Sequence, residues 1–174
     1  MKKSVIATVL TLGMISGYAH AASDVIFSGA VSAVTCDLAP SVNGNTLPNQ
    51  VVVLPVAAPN VEGSPATFAM KPVNSAAPGC ANMTGKTVSI DWSGAGLNSV
   101  GFAANAGSTA SDATVLLTAK NSKTPNTAIS VSSSTVEFEG DKLSTDGLQF
   151  EAKTKGGAQA GNFQSTASFT VAYK

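Results

Sequence analysis

The chain has 174 residues, a formal net charge of zero and only 11% charged residues, and it contains no arginine. That is enough chain for one domain with its own core, but it lacks the basic patch that neutralises nucleic-acid phosphates. The one histidine, His20, lies in a leader. The remainder therefore builds neither a Ser-His-Asp triad nor a Cys-His pair nor a histidine-based metal site, and no cofactor is expected.

In chain order, Lys2 and Lys3 supply a positive start, residues 5–15 are mostly apolar, and Ala19-His20-Ala21 fits a small-x-small cleavage site. Residues 1–21 thus read as a secretory signal peptide. The rival reading, an uncleaved anchor helix, is disfavoured because the apolar run is shorter than the roughly 20 residues needed to span a bilayer. Without the leader, eight lysines face ten acids, so the exported chain is weakly acidic.

Residues 25–36 read as one extended stretch, with Val25, Phe27, Gly29, Val31 and Ala33 on one face. Residues 51–54 form a short apolar strand ended by Pro55. Residues 66–71 set Phe68 and Met70 opposite Thr67 and Ala69. Residues 87–93 turn Val88, Ile90 and Trp92 inward, with Ser89 and Asp91 outward. The Gly/Ala/Ser/Asn-rich segment 94–112 is either a long surface loop or a weak edge strand. Further strands are expected over 113–120, 128–132, 136–139 and 148–152. The longest alternation is the last, with Phe163, Ser165, Ala167, Phe169, Val171 and Tyr173 on one face. Asn43-Gly44, Pro78-Gly79, Asp146-Gly147 and Gly156-Gly157 punctuate these runs as turns. Period-two runs with no sustained helical spacing predict an all-β antiparallel sandwich or barrel.

Two cysteines, Cys36 and Cys80, remain after the leader. Export to an oxidising compartment favours a disulfide between them over two buried thiols. Closing residues 36–80 contributes about 4 kcal/mol in the chain-entropy model. Glu137 and Glu139 lie two apart on a strand and share its solvated face, which disfavours a pair of catalytic carboxylates. Trp92 has two readings, a core anchor or a glycan contact that stacks on a sugar.

The chain ends Gly161-Asn162-Phe163-Gln164-Ser165-Thr166-Ala167-Ser168-Phe169-Thr170-Val171-Ala172-Tyr173-Lys174. A penultimate tyrosine, alternating apolar residues before it and a glycine fourteen places from the end resemble the chaperone–usher pilin family. Phe27-Ser28-Gly29 followed by Cys36 looks like that family's first strand. Ile90-Asp91-Trp92-Ser93-Gly94, with Leu97-Asn98-Ser99 and Gly101-Phe102 following, is similar to major subunits of the plasmid-encoded enterobacterial fimbriae.

The resemblance implies an incomplete immunoglobulin-like β-sandwich over residues 29–174, completed by a donor strand from a neighbouring subunit or a chaperone. It implies a donor extension over residues 22–28, with Val25 and Phe27 entering the groove, or Ile26 in the other register. Gly161, Phe163, Phe169, Val171 and Tyr173 then belong to the C-terminal strand that receives the donor. The implied partners are identical or related subunits, a periplasmic chaperone, an outer-membrane usher and a host glycan. The implied route runs through the periplasm to a cell-surface fimbrium. The donor arm is shorter than in many family members, which leaves its register open. The competing reading is a secreted, monomeric glycan-binding β-sandwich adhesin. An all-β enzyme is a third reading, disfavoured by the missing histidine and arginine.

Overall fold

Alternating apolar side chains bury themselves when strands are stacked in two layers, and the described residues do this with ten strands. The computed structural model describes residues 36–174. The expected signal peptide, the expected donor residues Val25, Ile26 and Phe27, and most of the 25–36 stretch lie outside the described residues. The elements are β1 (Leu38–Val42), β2 (Asn45–Thr46), β3 (Ala66–Pro72), α1 (Pro78–Ala81), β4 (Thr87–Ser93), β5 (Phe102–Ala103), β6 (Thr114–Ala119), β7 (Thr127–Ala128), β8 (Thr135–Glu139), a 3-10 turn (Gly140–Ser144), β9 (Leu148–Lys155) and β10 (Ser168–Tyr173).

One sheet runs β2-β1-β3-β9-β6-β5, with β7 also on β6, and the other runs β10-β4-β8. All pairings are antiparallel. Between the sheets lies a core that includes Met70, Leu148 and Phe150 from the first sheet and Val88, Ile90, Trp92 and Phe138 from the second. Phe68 pairs with Phe150 across β3 and β9, and their rings stack at 5.5 Å. Asn43 (φ 50°) and Gly44 (φ 82°) both occupy the left-handed region, as a two-residue hairpin turn of matching twist requires. The Cys36–Cys80 disulfide ties the chain just before β1 to α1.

Four local expectations change. Residues 51–54 keep strand-like alternation, with Val52 and Leu54 half-buried and Val51 and Val53 exposed, but they pair with no strand among the described residues. Pro78-Gly79 is not a free turn but opens α1, where proline's fixed φ and missing N–H suit the first helical turn. Of 128–132 only Ala128 lies in a strand, because Ser130 and Ser133 bridge each other and turn the chain. Ser89 keeps the outward face that alternation gives it but is buried there rather than exposed, since β4 is the central strand and Ala172 and Glu137 flank it. Segment 94–112 is loop apart from the two-residue β5, whose pairing with β6 places it at the sheet end.

Candidate assembly site

Aromatic and β-branched residues alternate with small polar ones in Phe169-Thr170-Val171-Ala172-Tyr173, a composition that fits a half-buried strand. This segment forms β10, which lies on β4 with Phe169 opposite Trp92, Val171 opposite Ile90 and Tyr173 opposite Val88. Immediately after it, Lys174 and Thr87 exchange both backbone hydrogen bonds at 2.9 Å. In an antiparallel ladder such mutually bonded pairs recur at every second residue. Ala172, Thr170 and Ser168 therefore bond toward β4, and Tyr173, Val171 and Phe169 direct their N–H and C=O groups to the opposite edge. Among the described residues, no strand pairs with that edge.

The same three residues turn their side chains to the core, where they are only half-buried. Their cross-strand neighbours Val88, Ile90 and Trp92 are fully enclosed. The core is thus sealed over β4 and half-covered over β10. Leu38, Val42, Val52 and Leu54 are also half-buried against this core. The Tyr173 hydroxyl donates to the Cys36 carbonyl, a bond that links the terminal strand to the chain entering β1 of the other sheet. Burial raises the Tyr173 phenol well above its ordinary pKa, and the Asp37 carboxylate adds to the rise.

Each end of the C-terminal segment is fixed differently. At the far end, the Lys174 ammonium donates to Glu137 Oε1 at 2.9 Å. That hydrogen bond and the lysine's charge hold the Glu137 carboxyl below its usual value. Lys123 donates to Thr87 Oγ1 at 2.6 Å and lies 3.8 Å from Glu139. Glu137 and Glu139 therefore work in surface ion pairs on the outer face.

At the near end, residues 162–166 do not continue β10, although the alternation from Phe163 onward predicts that they do. They dock instead on the loop before β6. The Asn105 N–H donates to the Gln164 carbonyl at 2.7 Å, and the Thr109 N–H donates to that of Asn162 at 2.9 Å. The Asn162 N–H in turn donates to Thr109 Oγ1 at 2.8 Å. Gly161 makes this docking possible. A Cβ there would meet Thr109 Oγ1 at 2.4 Å, so only glycine admits the approach. Gly161 and Phe163 help to line a cavity of about 350 Å³ together with Leu54 and Pro55. The structure thus brings Phe169, Val171 and Tyr173 together on one edge and places Gly161 and Phe163 at a separate cavity.

Trp92 is a core residue. It is 5% exposed and packs edge-on or tilted against Phe150, Phe169 and Phe102 at 5.2, 5.6 and 6.4 Å. No ring face is left for a sugar, which corrects the glycan-contact reading. Its neighbour Asp91 points outward and accepts hydrogen bonds from Ser134 and Thr135 at 2.8 and 2.7 Å. Sequence reasoning missed the roles of Thr109 and Lys174. Nothing marks Thr109 in the sequence, whereas the position of Lys174 one step beyond the last alternating residue, facing an acidic strand face, is a usable signal.

No family model matches the chain. It is 41% identical over 175 residues to the F107 fimbrial protein of Escherichia coli, covering the whole of both. It is 32% identical over 189 residues to the K99 fimbrial protein of Escherichia coli, covering 99% of each. Its fold is similar to the crystal structure of the P pilus rod subunit PapA, with a TM-score of 0.52 and 16% identity over 87% of this chain and 99% of that one. At that identity the likeness speaks for the immunoglobulin-like sandwich alone. A half-covered terminal strand on such a sandwich, joined to full-length identity of this size, shows that the chain belongs to the fimbrial protein family and is a structural subunit of a cell-surface fimbrium.

Proposed function

We propose that residues 22–28 of one subunit add as a strand along the outer edge of β10 in the next, and that repetition of this joint builds the fimbrium. The observation that supports it is the edge of β10, where Phe169, Val171 and Tyr173 combine half-buried side chains with backbone groups that have no partner strand among the described residues. An exposed edge of this kind templates strand addition by another chain. Burying the donor side chains, Val25 and Phe27, or Ile26 in the other register, contributes about 1.5–3 kcal/mol each. Each new backbone hydrogen bond adds about 0.5–1.5 kcal/mol net. Donor and acceptor are different parts of the molecule, so the contact runs head-to-tail and generates an open fibre rather than a closed dimer.

On this reading residues 1–21 direct export to the periplasm and are removed. A periplasmic chaperone covers the β10 edge before assembly, and an outer-membrane usher passes subunits to the surface. The fibre supports adhesion to host surfaces, host glycans included, and the chain carries no enzymatic activity. Deleting residues 22–27 tests the joint. We expect the truncated subunit to accumulate with its chaperone and form no filaments in electron micrographs. Filaments of normal length from the truncated chain contradict the proposal.

A further inference from the structure

With Trp92 enclosed, a sugar held by this chain has to be met elsewhere on its surface. At one end of the first sheet, the loops around Asn60, Asn98 and Asp112 meet the start of β6 and the end of β9 and line a cleft of about 360 Å³, a size usual for small-ligand sites. Its polar side chains are those of Asn60, Asn98, Asp112, Thr114 and Lys155, and Val100 adds an exposed apolar surface. Thr114 and Lys155 stand side by side because they are register partners across β6 and β9. None of residues 161–174 lines the cleft, so it is separate from the β10 edge.

The backbone around the cleft is used by the fold, whereas the side chains keep hydrogen-bonding capacity to spare. Asn60 holds a left-handed φ of 58°, and its N–H donates to the Gly157 carbonyl at 2.9 Å. Asn98 Oδ1 accepts from the Val100 and Gly101 N–H groups at 2.8 and 3.1 Å, which fixes its amide and leaves Nδ2 over. Asp112 Oδ2 accepts from the Ala158 N–H at 2.6 Å and leaves Oδ1 over. Among the described residues neither Asp112 nor Lys155 enters an ion pair. One such group alone is simply solvated, but several that converge in one concavity can hold a ligand.

Their chemistry narrows the class. The lining charges cancel, one carboxylate against one ammonium. The carboxamides and the hydroxyl each both donate and accept. That balance suits an uncharged polyhydroxyl ligand, whose O–H groups also do both, better than a phosphate or a metal ion, and Val100 can meet the C–H side of a ring. We propose that this cleft binds one neutral sugar residue of a host glycan. The inference rests on the adhesive reading given above and names a site for it. A contact with one sugar is weak, but a fimbrium repeats it in every subunit, and multivalent engagement raises avidity without any new contact.

Saturation-transfer NMR on intact fimbriae tests this, with the methyl glycosides of galactose, glucose, mannose and N-acetylglucosamine as probes. We expect ring-proton signals from at least one glycoside with the unaltered fimbriae. Asn60→Gly keeps the left-handed backbone, and Thr114→Val keeps the β-branched shape. Fimbriae carrying both changes should give a signal weaker by about fivefold or more. Lys155→Gln alters an exposed side chain of the cleft, should also weaken the signal, and carries the comparison if the double variant does not assemble. Absence of signal from all four glycosides with unaltered fimbriae, or undiminished signal from the variants, overturns the proposal. Adherence of fimbriated cells to host cells, scored in parallel, separates the two readings. Glycoside signal without adherence overturns the adhesive reading and leaves the site standing, whereas adherence without any glycoside signal overturns the site and leaves adhesion standing.

Discussion

Trp92, Tyr173 and Gly161 each hold their place for a different physical reason. Trp92 fills the centre of the aromatic cluster, and its buried Nε1 has no hydrogen-bond partner among the described residues. Trp92→Ala should therefore cost about 3–5 kcal/mol through the cavity it leaves. Trp92→Phe keeps aromatic packing and removes an unpaired donor, so its cost should be markedly smaller. Thermal dissociation of fimbriae built from each variant measures the difference, and equal losses from both contradict the packing account.

Tyr173 makes a pH prediction. Burial raises its phenol, so the folded state holds the proton more tightly than the unfolded chain does. That contribution is fully present below the unfolded value of about 10 and is lost as pH rises beyond it. Fimbriae should lose thermal stability above about pH 10. Tyr173→Phe should lack that part of the loss while being weaker at neutral pH by about 0.5–1.5 kcal/mol, from the missing bond to the Cys36 carbonyl. Identical alkaline profiles for the two proteins contradict this.

At the scale of elements, β3, β4, β8 and β9 are legible in the sequence because their apolar residues alternate with polar or small ones and find partners across the sheet, whereas β6 reads as a strand from its short apolar run Val115-Leu116-Leu117. Alternation alone states which face is buried; it does not state whether an edge is available. Residues 51–54 satisfy the pattern and remain unpaired for that reason. Phe163 extends the alternation of β10, yet its segment is diverted by hydrogen bonds to Asn105 and Thr109, contacts between parts of the chain far apart in sequence that no local pattern encodes. The C-terminal glycine was legible as a marked position, but its reason was not, since the crowding by Thr109 exists only in three dimensions. Gly161→Ala should force that docking apart and cost about 1–3 kcal/mol. Hydrogen exchange should then show faster exchange of the Asn162 and Gln164 amides, with β10 itself unchanged. Unchanged exchange throughout 161–166 contradicts the steric account.

For the whole molecule, three features combine. The core is half-covered along β10, the Tyr173 hydroxyl bonds the carbonyl of the disulfide-held Cys36, and the Lys174–Thr87 and Lys174–Glu137 contacts clasp the terminal strand onto its sheet. One edge of β10 is thereby bonded to β4 while its other edge has no partner strand among the described residues, the arrangement that strand addition requires. The low charge of the chain favours close packing of many copies, because little repulsion accumulates along the fibre. A cryo-electron-microscopy reconstruction of the fimbrium reads the central claim directly. The account predicts an extended segment containing residues 22–28 of one subunit lying beside β10 of the next, with backbone hydrogen bonds to Phe169, Val171 and Tyr173. A β10 edge covered by the subunit's own chain, or left bare between subunits joined elsewhere, contradicts it.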